Sequence, residues 1–162
     1  MTISVGDKIP AGSLMVKGEG EIAEVTVDSL LAGKSVVIFG LPGAFTGVCS
    51  TAHVPSFIRS MDKLAAKGVD AVICVSVNDA YVMKAWGEAT GALKAGIVMA
   101  ADPDAAFTLA LGLDFAAGFA RGAPRSKRYA LHAVDGVVKV LSVELHGGLC
   151  DISGGEAMVE AI

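Results

Sequence analysis

Cys49 is the residue of this sequence best placed to do chemistry, since it stands in the segment LPGAFTGVCS between a predicted strand and a predicted helix. Pro42 and Gly43 turn the chain, so Cys49 falls in the loop or in the first helical turn. The unpaired N–H groups and partial positive charge of a helix N-terminus favour a thiolate, which is the nucleophilic form of cysteine. Thr46 stands three residues earlier, where its hydroxyl can reach the sulfur or a bound oxygen, and Pro42 can shield the sulfur from water. The alternative is a cysteine that serves only in packing, the commoner role of a lone cysteine.

The segments around Cys49 alternate between short apolar runs and helical patterns, as in α/β proteins. Ser35–Gly40 and residues 69–77 are apolar runs that predict central strands covered on both faces. Between them, an apolar stripe over residues 54–65 predicts a helix that ends at Gly68. Farther along, the sequence predicts a helix over 81–89 capped by Asn78-Asp79, a strand over 97–100, a helix from 102–104 toward 111, and a last helix over 155–162.

A β-hairpin is predicted over residues 128–134 and 137–143, because Asp135-Gly136 between them favours a two-residue turn. Strands separated by helices, then a hairpin and a last helix, predict an α/β fold with a central mixed sheet flanked by helices. This order is thioredoxin-like, although other α/β folds share it. The chain has 162 residues, 53% of them hydrophobic, so we expect residues 1–162 to form a single domain.

The composition argues against several classes of protein. The net charge is −4 and the basic residues are spread out apart from one cluster within residues 121–128, so we expect no nucleic-acid partner. No apolar run approaches the ~20 residues of a membrane span, and the N-terminus does not resemble a signal peptide. Three cysteines do not describe a disulfide-stapled secreted domain. We therefore expect a protein of the reducing cytoplasm, with an organellar form trimmed from a longer precursor as the alternative.

The motif Pro42-Gly43-Ala44-Phe45-Thr46-x-x-Cys49 resembles the active-site signature of the peroxiredoxins, in particular their atypical type II, or five-type, subclass. The resemblance continues through the segments VGDKIP, TAHVP, VSVNDAYVMKAW, ADPDAAFTLALGL, PRSKRYAL and DGVVKVLSVE. It implies a thioredoxin fold. It also implies reduction of hydrogen peroxide and small organic hydroperoxides without a metal or an organic cofactor.

The same resemblance implies a role for each matched residue of the motif. Cys49 is the peroxidatic cysteine, which attacks the peroxide and becomes a sulfenic acid. Thr46 hydrogen-bonds the sulfur and the peroxide, and Pro42 shields the site. Arg128 matches a family arginine from a distant strand, and its guanidinium stabilises the thiolate and the charge that develops as the O–O bond breaks. Arg125 is a competitor for this role, although the KR-aromatic pattern favours Arg128.

Three further side chains near the motif have more than one interpretation. His53 lies four residues after Cys49, on the same helical face, which allows a nucleophile–base pair or a metal site. Both are weaker than two others, a positioning residue of the pocket or a half-exposed structural histidine. Phe45 and Trp86 are candidates for the pocket rim or a subunit contact, but core packing is the favoured role of each.

The step that recycles the sulfenic acid has three candidate routes. Cys74 lies in a predicted central strand and is expected to be a buried, inert thiol, although its 25-residue separation from Cys49 resembles plant type II members. Cys150 follows Gly147-Gly148-Leu149 in an expected mobile, exposed loop, and it is the favoured resolving cysteine. The third route is direct reduction of Cys49 by thioredoxin or by glutaredoxin with glutathione.

The resemblance also implies a homodimer whose contact lies near the active-site loops. Two competing functions remain open at this point. One is a non-catalytic thioredoxin-fold redox sensor or interaction module, which the joint presence of Pro42, Thr46, Cys49 and Arg128 disfavours. The other is a disulfide oxidoreductase, which the absence of a Cys-x-x-Cys motif weakens.

Overall fold

A seven-stranded mixed sheet forms the centre of the structure, a computed structural model that describes residues 1–162. The strands are β1 (Ser13–Lys17), β2 (Ile22–Thr26), β3 (Ser35–Gly40), β4 (Ala71–Ser76), β5 (Val98–Ala101), β6 (Asp114–Ala116), β7 (Pro124–Ser126), β8 (Tyr129–Val134) and β9 (Val137–Val143). The helices are α1 (Val27–Leu31), α2 (Val54–Ala66), α3 (Ala80–Thr90), α4 (Ala106–Leu111) and α5 (Gly155–Ala161). A π-helical turn over Cys49–His53 leads into α2, and a 3₁₀ turn covers Gly118–Ala120.

The strand order in the large sheet is β2-β1-β5-β4-β3-β8-β9. Strands β3, β4 and β5 are parallel and are joined through α2 and α3, while β8 runs antiparallel to β3. Strands β6 and β7 form a separate two-stranded sheet just before β8. The sheet is therefore mixed and flanked by helices, as the sequence predicts.

Each face of the sheet carries a hydrophobic core, because successive strand residues point to opposite sides. In β3, Val37 and Phe39 pack in one core with residues of α2, α3 and α5. Val36 and Ile38 pack in the other core with residues of α1 and α4. All four side chains are at most 2% exposed, which explains why the strand reads as an unbroken apolar run.

The predicted elements around the site agree closely with the structure. Strand β3 has the predicted bounds, and Asp79 caps α3 by accepting a hydrogen bond from the N–H of Val82 at 2.9 Å. The hairpin turn has positive φ at Asp135 and Gly136 (48° and 76°), the conformation that this dipeptide favours. Strands β1 and β2 and the β6–β7 pair were not predicted from the sequence. Most residues of β1 and β2 are only partly buried, so their apolar signal is weak.

Candidate active site

The end of β3 and the start of β8 bring the site together. Gly40 pairs with Tyr129 in the antiparallel ladder, so Leu41 and Arg128 leave the sheet side by side. A Cβ on Gly40 would lie 2.1 Å from the ring of Tyr129. Glycine is therefore required here, because the buried tyrosine ring crosses the backbone at this point.

The loop from Leu41 to Val48 is held by the end of the neighbouring strand. Asn78 follows β4, and its Oδ1 accepts hydrogen bonds from the N–H of Ala44 at 3.0 Å and from the hydroxyl of Ser76 at 2.7 Å. The Thr46 hydroxyl donates to the carbonyl of Gly43 at 2.6 Å. Phe45 adopts a positive φ of 61°, unusual for this residue type, and the chain turns there. These contacts fix the path of the loop before Cys49.

Cys49 is the first residue of the π-helical turn, and it is only 1% exposed. The N–H of Val54 donates to the carbonyl of Cys49, a bond that spans five residues instead of four. The next residue of this turn, Ser50, is bonded to α3, because its hydroxyl accepts a hydrogen bond from Nε1 of Trp86 at 3.0 Å. The sequence pattern placed Cys49 near the helix start, but it did not predict the widened turn.

Arg128 reaches the sulfur of Cys49 directly. Its Nη2 donates to Sγ at 3.2 Å, and its Nη1 donates to Nδ1 of His53 at 3.0 Å. Nε and Nη2 both donate to the carbonyl of Gly147, at 3.2 and 2.8 Å. Arg128 is 2% exposed and has no carboxylate within ion-pair distance. A buried cation is costly without partners, and here the guanidinium is held by the sulfur of Cys49, the ring of His53 and the carbonyl of Gly147.

His53 lies behind Arg128, away from solvent. Its Nε2 donates to the carbonyl of Ser153 at 2.9 Å, which leaves Nδ1 free to accept from Arg128. Burial, together with the positive charge of Arg128, lowers the pKa of His53 from 6.5 to about 3. The ring is therefore neutral at pH 7. It has no free nitrogen that could take a proton from Cys49, so it is not the base of a nucleophile–base pair.

A pocket of about 320 Å³ opens onto the sulfur. Pro42, Thr46, Cys49 and Arg128 line it, which brings the four motif residues of the sequence analysis together. Phe115, Phe119 and the residues at 47, 48, 147 and 148 complete the wall. The pocket is suited to a small oxidant, with a cysteine, a threonine and an arginine among the residues that line it.

The competing arginine and the other two cysteines occupy different environments. Arg125 donates to the carbonyl of Pro42 at 3.5 Å and stacks over the ring of Phe119, so it borders the pocket without a bond to sulfur. Cys74 is 0% exposed in the middle of the sheet, and burial raises the pKa of its thiol well above the ordinary value. Cys150 is half-buried in the loop before α5, where burial also raises the pKa of its thiol.

Some expectations for individual side chains were wrong. His53 is fully buried rather than half-exposed, and it does not line the pocket because Arg128 lies between it and the opening. Phe45 is 59% exposed and lies outside the pocket wall, so core packing does not describe it, whereas Trp86 is a core residue at 1% exposure. Cys150 is less exposed than predicted.

Several residues that position the site were not predicted from the sequence. Asn78 was interpreted only as a helix cap, and the carbonyls of Gly147 and Ser153 were not considered. Backbone carbonyls carry no side-chain signal, so no sequence pattern could have identified these two. The NDA stretch after a buried strand could have drawn attention to Asn78, because parallel strands end at the same edge of a sheet.

A cysteine held against a buried guanidinium, on the wall of a small pocket in an α/β protein, is the arrangement of a cysteine-dependent redox enzyme. Comparison with known proteins agrees with this class. Residues 4–157 match the model of the family described as Redoxin. Peroxiredoxin-2E-2, a chloroplastic protein of Oryza sativa subsp. japonica, is 47% identical over 165 residues, covering 99% of this chain and 73% of that protein. A mitochondrial peroxiredoxin-2F of Arabidopsis thaliana is 45% identical over 84% of this chain and 67% of that protein.

Solved structures give the same result. The crystal structure of reduced Prx3 from Vibrio vulnificus in complex with H₂O₂ is 46% identical, covers 99% of both chains and superposes with a TM-score of 0.92. The chain therefore belongs to the redoxin family, as a thiol peroxidase of the type II peroxiredoxin group. The thioredoxin-like fold expected from the element order is confirmed, and the non-catalytic redox sensor is not favoured. Such an enzyme has a peroxide substrate and a thiol reductant. No helix is long and apolar enough to cross a bilayer.

Proposed function

We propose that Cys49 is the peroxidatic cysteine and that Arg128, Thr46 and Pro42 complete its site. The observation that carries this proposal is the 3.2 Å hydrogen bond from Nη2 of Arg128 to Sγ of Cys49. Cys49 is also the only one of the three cysteines on the wall of this pocket. The substrates are hydrogen peroxide and small organic hydroperoxides, since a pocket of about 320 Å³ accommodates little more than a small molecule.

The chemistry is a displacement at oxygen. The thiolate of Cys49 attacks the terminal peroxide oxygen, so an S–O bond forms while the O–O bond breaks. The sulfur is oxidised to sulfenic acid, and the departing oxygen takes up a proton and leaves as water or an alcohol. Arg128 stabilises the negative charge that moves from sulfur to the leaving oxygen. Thr46 orients the peroxide, and Pro42 excludes water from the sulfur.

Replacement of Cys49 tests this assignment. We expect Cys49→Ser to abolish peroxide consumption in the presence of dithiothreitol, because a serine hydroxyl is not ionised at neutral pH. Cys74→Ala is the matched control and should keep the wild-type rate, since that thiol is sealed in the sheet. A wild-type rate in Cys49→Ser would refute the assignment.

For recycling, we propose that Cys150 resolves the sulfenic acid. Its thiolate attacks the sulfur of Cys49, and the two residues form a disulfide with release of water. Cys150 lies in the loop that also supplies the carbonyl of Gly147 to Arg128, so it is close along the chain to the site. A thioredoxin, or glutaredoxin with glutathione, then reduces the disulfide. Direct attack of the reductant on Cys49 is the alternative route.

We also propose that the enzyme forms a homodimer through the face that holds the pocket entrance. Large apolar side chains are exposed at this face, with Phe45 59% and Phe119 62% accessible. Exposed apolar patches of this kind are typical of surfaces that contact another protein. Phe45→Glu and Phe119→Glu should shift sedimentation toward the monomer, whereas Leu109→Glu, at an exposed position of α4, should not.

The proposed compartment is the reducing cytoplasm, supported by three cysteines that are all free thiols. Relatives with chloroplastic and mitochondrial names make an organelle the alternative. Fractionation of the source cells with an antibody to this chain decides between the two.

A further inference from the structure

Glu144 is a buried acidic residue that the peroxide chemistry does not use. It directly follows β9 and is only 7% exposed. No lysine or arginine lies within ion-pair distance of it. Instead, its Oε1 accepts three hydrogen bonds of 2.8 Å each, from the N–H of Ile152 and from the N–H and hydroxyl of Ser153. Burial alone would raise the pKa of Glu144, but these bonds bring it below its ordinary value, so the group is a carboxylate.

The backbone of Glu144 makes a second connection, to the residue that binds the sulfur. Its N–H donates to the carbonyl of Arg128 at 2.9 Å. Glu144 therefore fastens both ends of the segment 144–153, one through its backbone and the other through its carboxylate. This segment includes Gly147, whose carbonyl accepts two hydrogen bonds from Arg128, and Cys150.

A continuous set of hydrogen bonds connects this carboxylate to the sulfur. Ser153, held by Glu144, accepts from Nε2 of His53 at 2.9 Å. Nδ1 of His53 accepts from Nη1 of Arg128 at 3.0 Å, and Nη2 of Arg128 donates to Sγ of Cys49 at 3.2 Å. Each residue of this set is hydrogen-bonded to the next. A displacement of Ser153 would therefore move the ring of His53, and the ring would in turn move the guanidinium of Arg128.

We propose that Glu144 is a positioning residue of the peroxide site, which holds Arg128 against Cys49 through Ser153 and His53. This inference rests on the proposed role of Cys49. Without the carboxylate, three donors lose their acceptor, and Ser153 is fully buried. Buried donors without partners are costly, so the segment rearranges and both the Ser153 and Gly147 carbonyls leave the positions that fix His53 and Arg128.

The test compares Glu144→Ala and Glu144→Gln with Glu156→Ala. Glu156 is an exposed carboxylate of the adjacent α5 that pairs with Arg59, so it controls for loss of a negative charge in this region. The first readout is the rate at which hydrogen peroxide oxidises Cys49 in a single turnover without reductant. Trp86 reports the reaction by its fluorescence, because its indole N–H is bonded to Ser50, next to Cys49. The second readout is the ring ¹⁵N signal of His53, which reports its tautomer.

We expect Glu144→Ala to slow oxidation of Cys49 by about 10- to 100-fold, the usual effect of removing an outer positioning contact. The Nε2–H signal of His53 should shift or broaden. Glu144→Gln retains a carbonyl oxygen that can accept the same bonds, so its rate should lie between those of Glu144→Ala and the wild type. Glu156→Ala should match the wild type in both readouts.

A folded Glu144→Ala with the wild-type rate and the wild-type His53 signal would overturn the proposal. If Glu144→Ala does not fold, Glu144→Gln decides: a reduced rate with an altered His53 signal supports the proposal, and wild-type values of both overturn it. Failure of the underlying function has a different signature, because the wild-type protein itself would then leave peroxide intact.

Discussion

Arg128 donates a hydrogen bond from Nη1 to Nδ1 of His53 at 3.0 Å, so this histidine must be neutral wherever the site is intact. Protonation of Nδ1 would place two cations in contact and remove the acceptor. The low pKa of His53, about 3, follows from its burial and from this neighbour. The hydrogen bond between Arg128 and His53 is therefore lost when the pH is low enough to protonate His53.

The first prediction concerns acid stability. In the unfolded chain His53 has an ordinary pKa of about 6.5, so between pH ~6.5 and ~3 the unfolded state binds a proton that the folded state does not. The free energy of unfolding should therefore fall as pH falls through this window, by up to about 1.4 kcal/mol per pH unit from this residue alone. Urea unfolding at pH 7, 6 and 5 measures it. His53→Gln should lose this part of the slope, and His146→Gln, at an exposed position, should retain it.

The second prediction separates the two arginines near the pocket. Arg128→Lys should lower the rate of peroxide reduction by about 10²- to 10³-fold, because one ammonium cannot serve sulfur, His53 and Gly147 together. Arg125→Lys should have a much smaller effect, since Arg125 contacts the carbonyl of Pro42 and the ring of Phe119 but makes no bond to the sulfur. Single-turnover fluorescence with hydrogen peroxide gives both rates. Equal losses in the two variants would contradict the assignment of Arg128.

The third prediction concerns the cysteine that is linked to Cys49 after oxidation. One equivalent of peroxide should yield a peptide that joins Cys49 to Cys150, detected by mass spectrometry after digestion. Cys74 should stay reduced, because a disulfide to it would require opening of the central strands β3, β4 and β5. In Cys150→Ser, Cys49 should accumulate as sulfenic acid or as a mixed disulfide with added glutathione. A Cys49–Cys74 peptide would reverse the assignment.

The fourth prediction concerns the glycine at the end of β3. Gly40→Ala should destabilise the protein by about 1–3 kcal/mol, the usual cost of overpacking, because the new methyl group meets the ring of Tyr129. Activity should fall as well, since Tyr129 directly follows Arg128. Thermal unfolding and peroxide consumption measure the two effects. Gly18→Ala is the control, as nothing lies near a Cβ at that position, and an equal change in both variants would argue against the contact.

The fifth prediction is that residues 1–162 unfold as one domain. One sheet separates the two cores, and neighbouring residues of β4 belong to different cores, Cys74 to one and Ile73 to the other. Loss of either core therefore exposes the strand that supports the other. Trp86 fluorescence and the amide exchange of Ile73 should report the same midpoint in denaturant. Two separated transitions would indicate two units.

The central elements could be predicted from the sequence because their signals are local. Ser35–Gly40 is apolar at nearly every position, and Asp135-Gly136 favours one turn type, so the pattern alone gave strand and hairpin. The motif residues Pro42, Thr46 and Cys49 also lie within eight positions of one another. The resemblance to a known family then added Arg128, which is 79 residues away from Cys49 and has no local signal.

The rest of the site depends on contacts that the sequence does not encode locally. Half-exposure, one of the two favoured interpretations of His53, was wrong, because the ring is enclosed by Arg128 and by the carbonyl of Ser153, 100 residues farther along the chain. Phe45 was expected in the core, but it lies in a loop at a residue with positive φ and is 59% exposed. Both outcomes depend on the path of the folded backbone rather than on the residues themselves.

Cys49–His53 form a π-helical turn, which contains one residue more than an α-helical turn. The direction in which the sulfur of Cys49 points depends on this extra residue. Each residue of an α-helix turns the chain by about 100°, and the wide turn accommodates one residue more than an α-helical turn would. Removal of that extra residue would rotate the start of the helix by roughly this angle about its axis. The sulfur would then be aimed away from the guanidinium, with all the site residues still present.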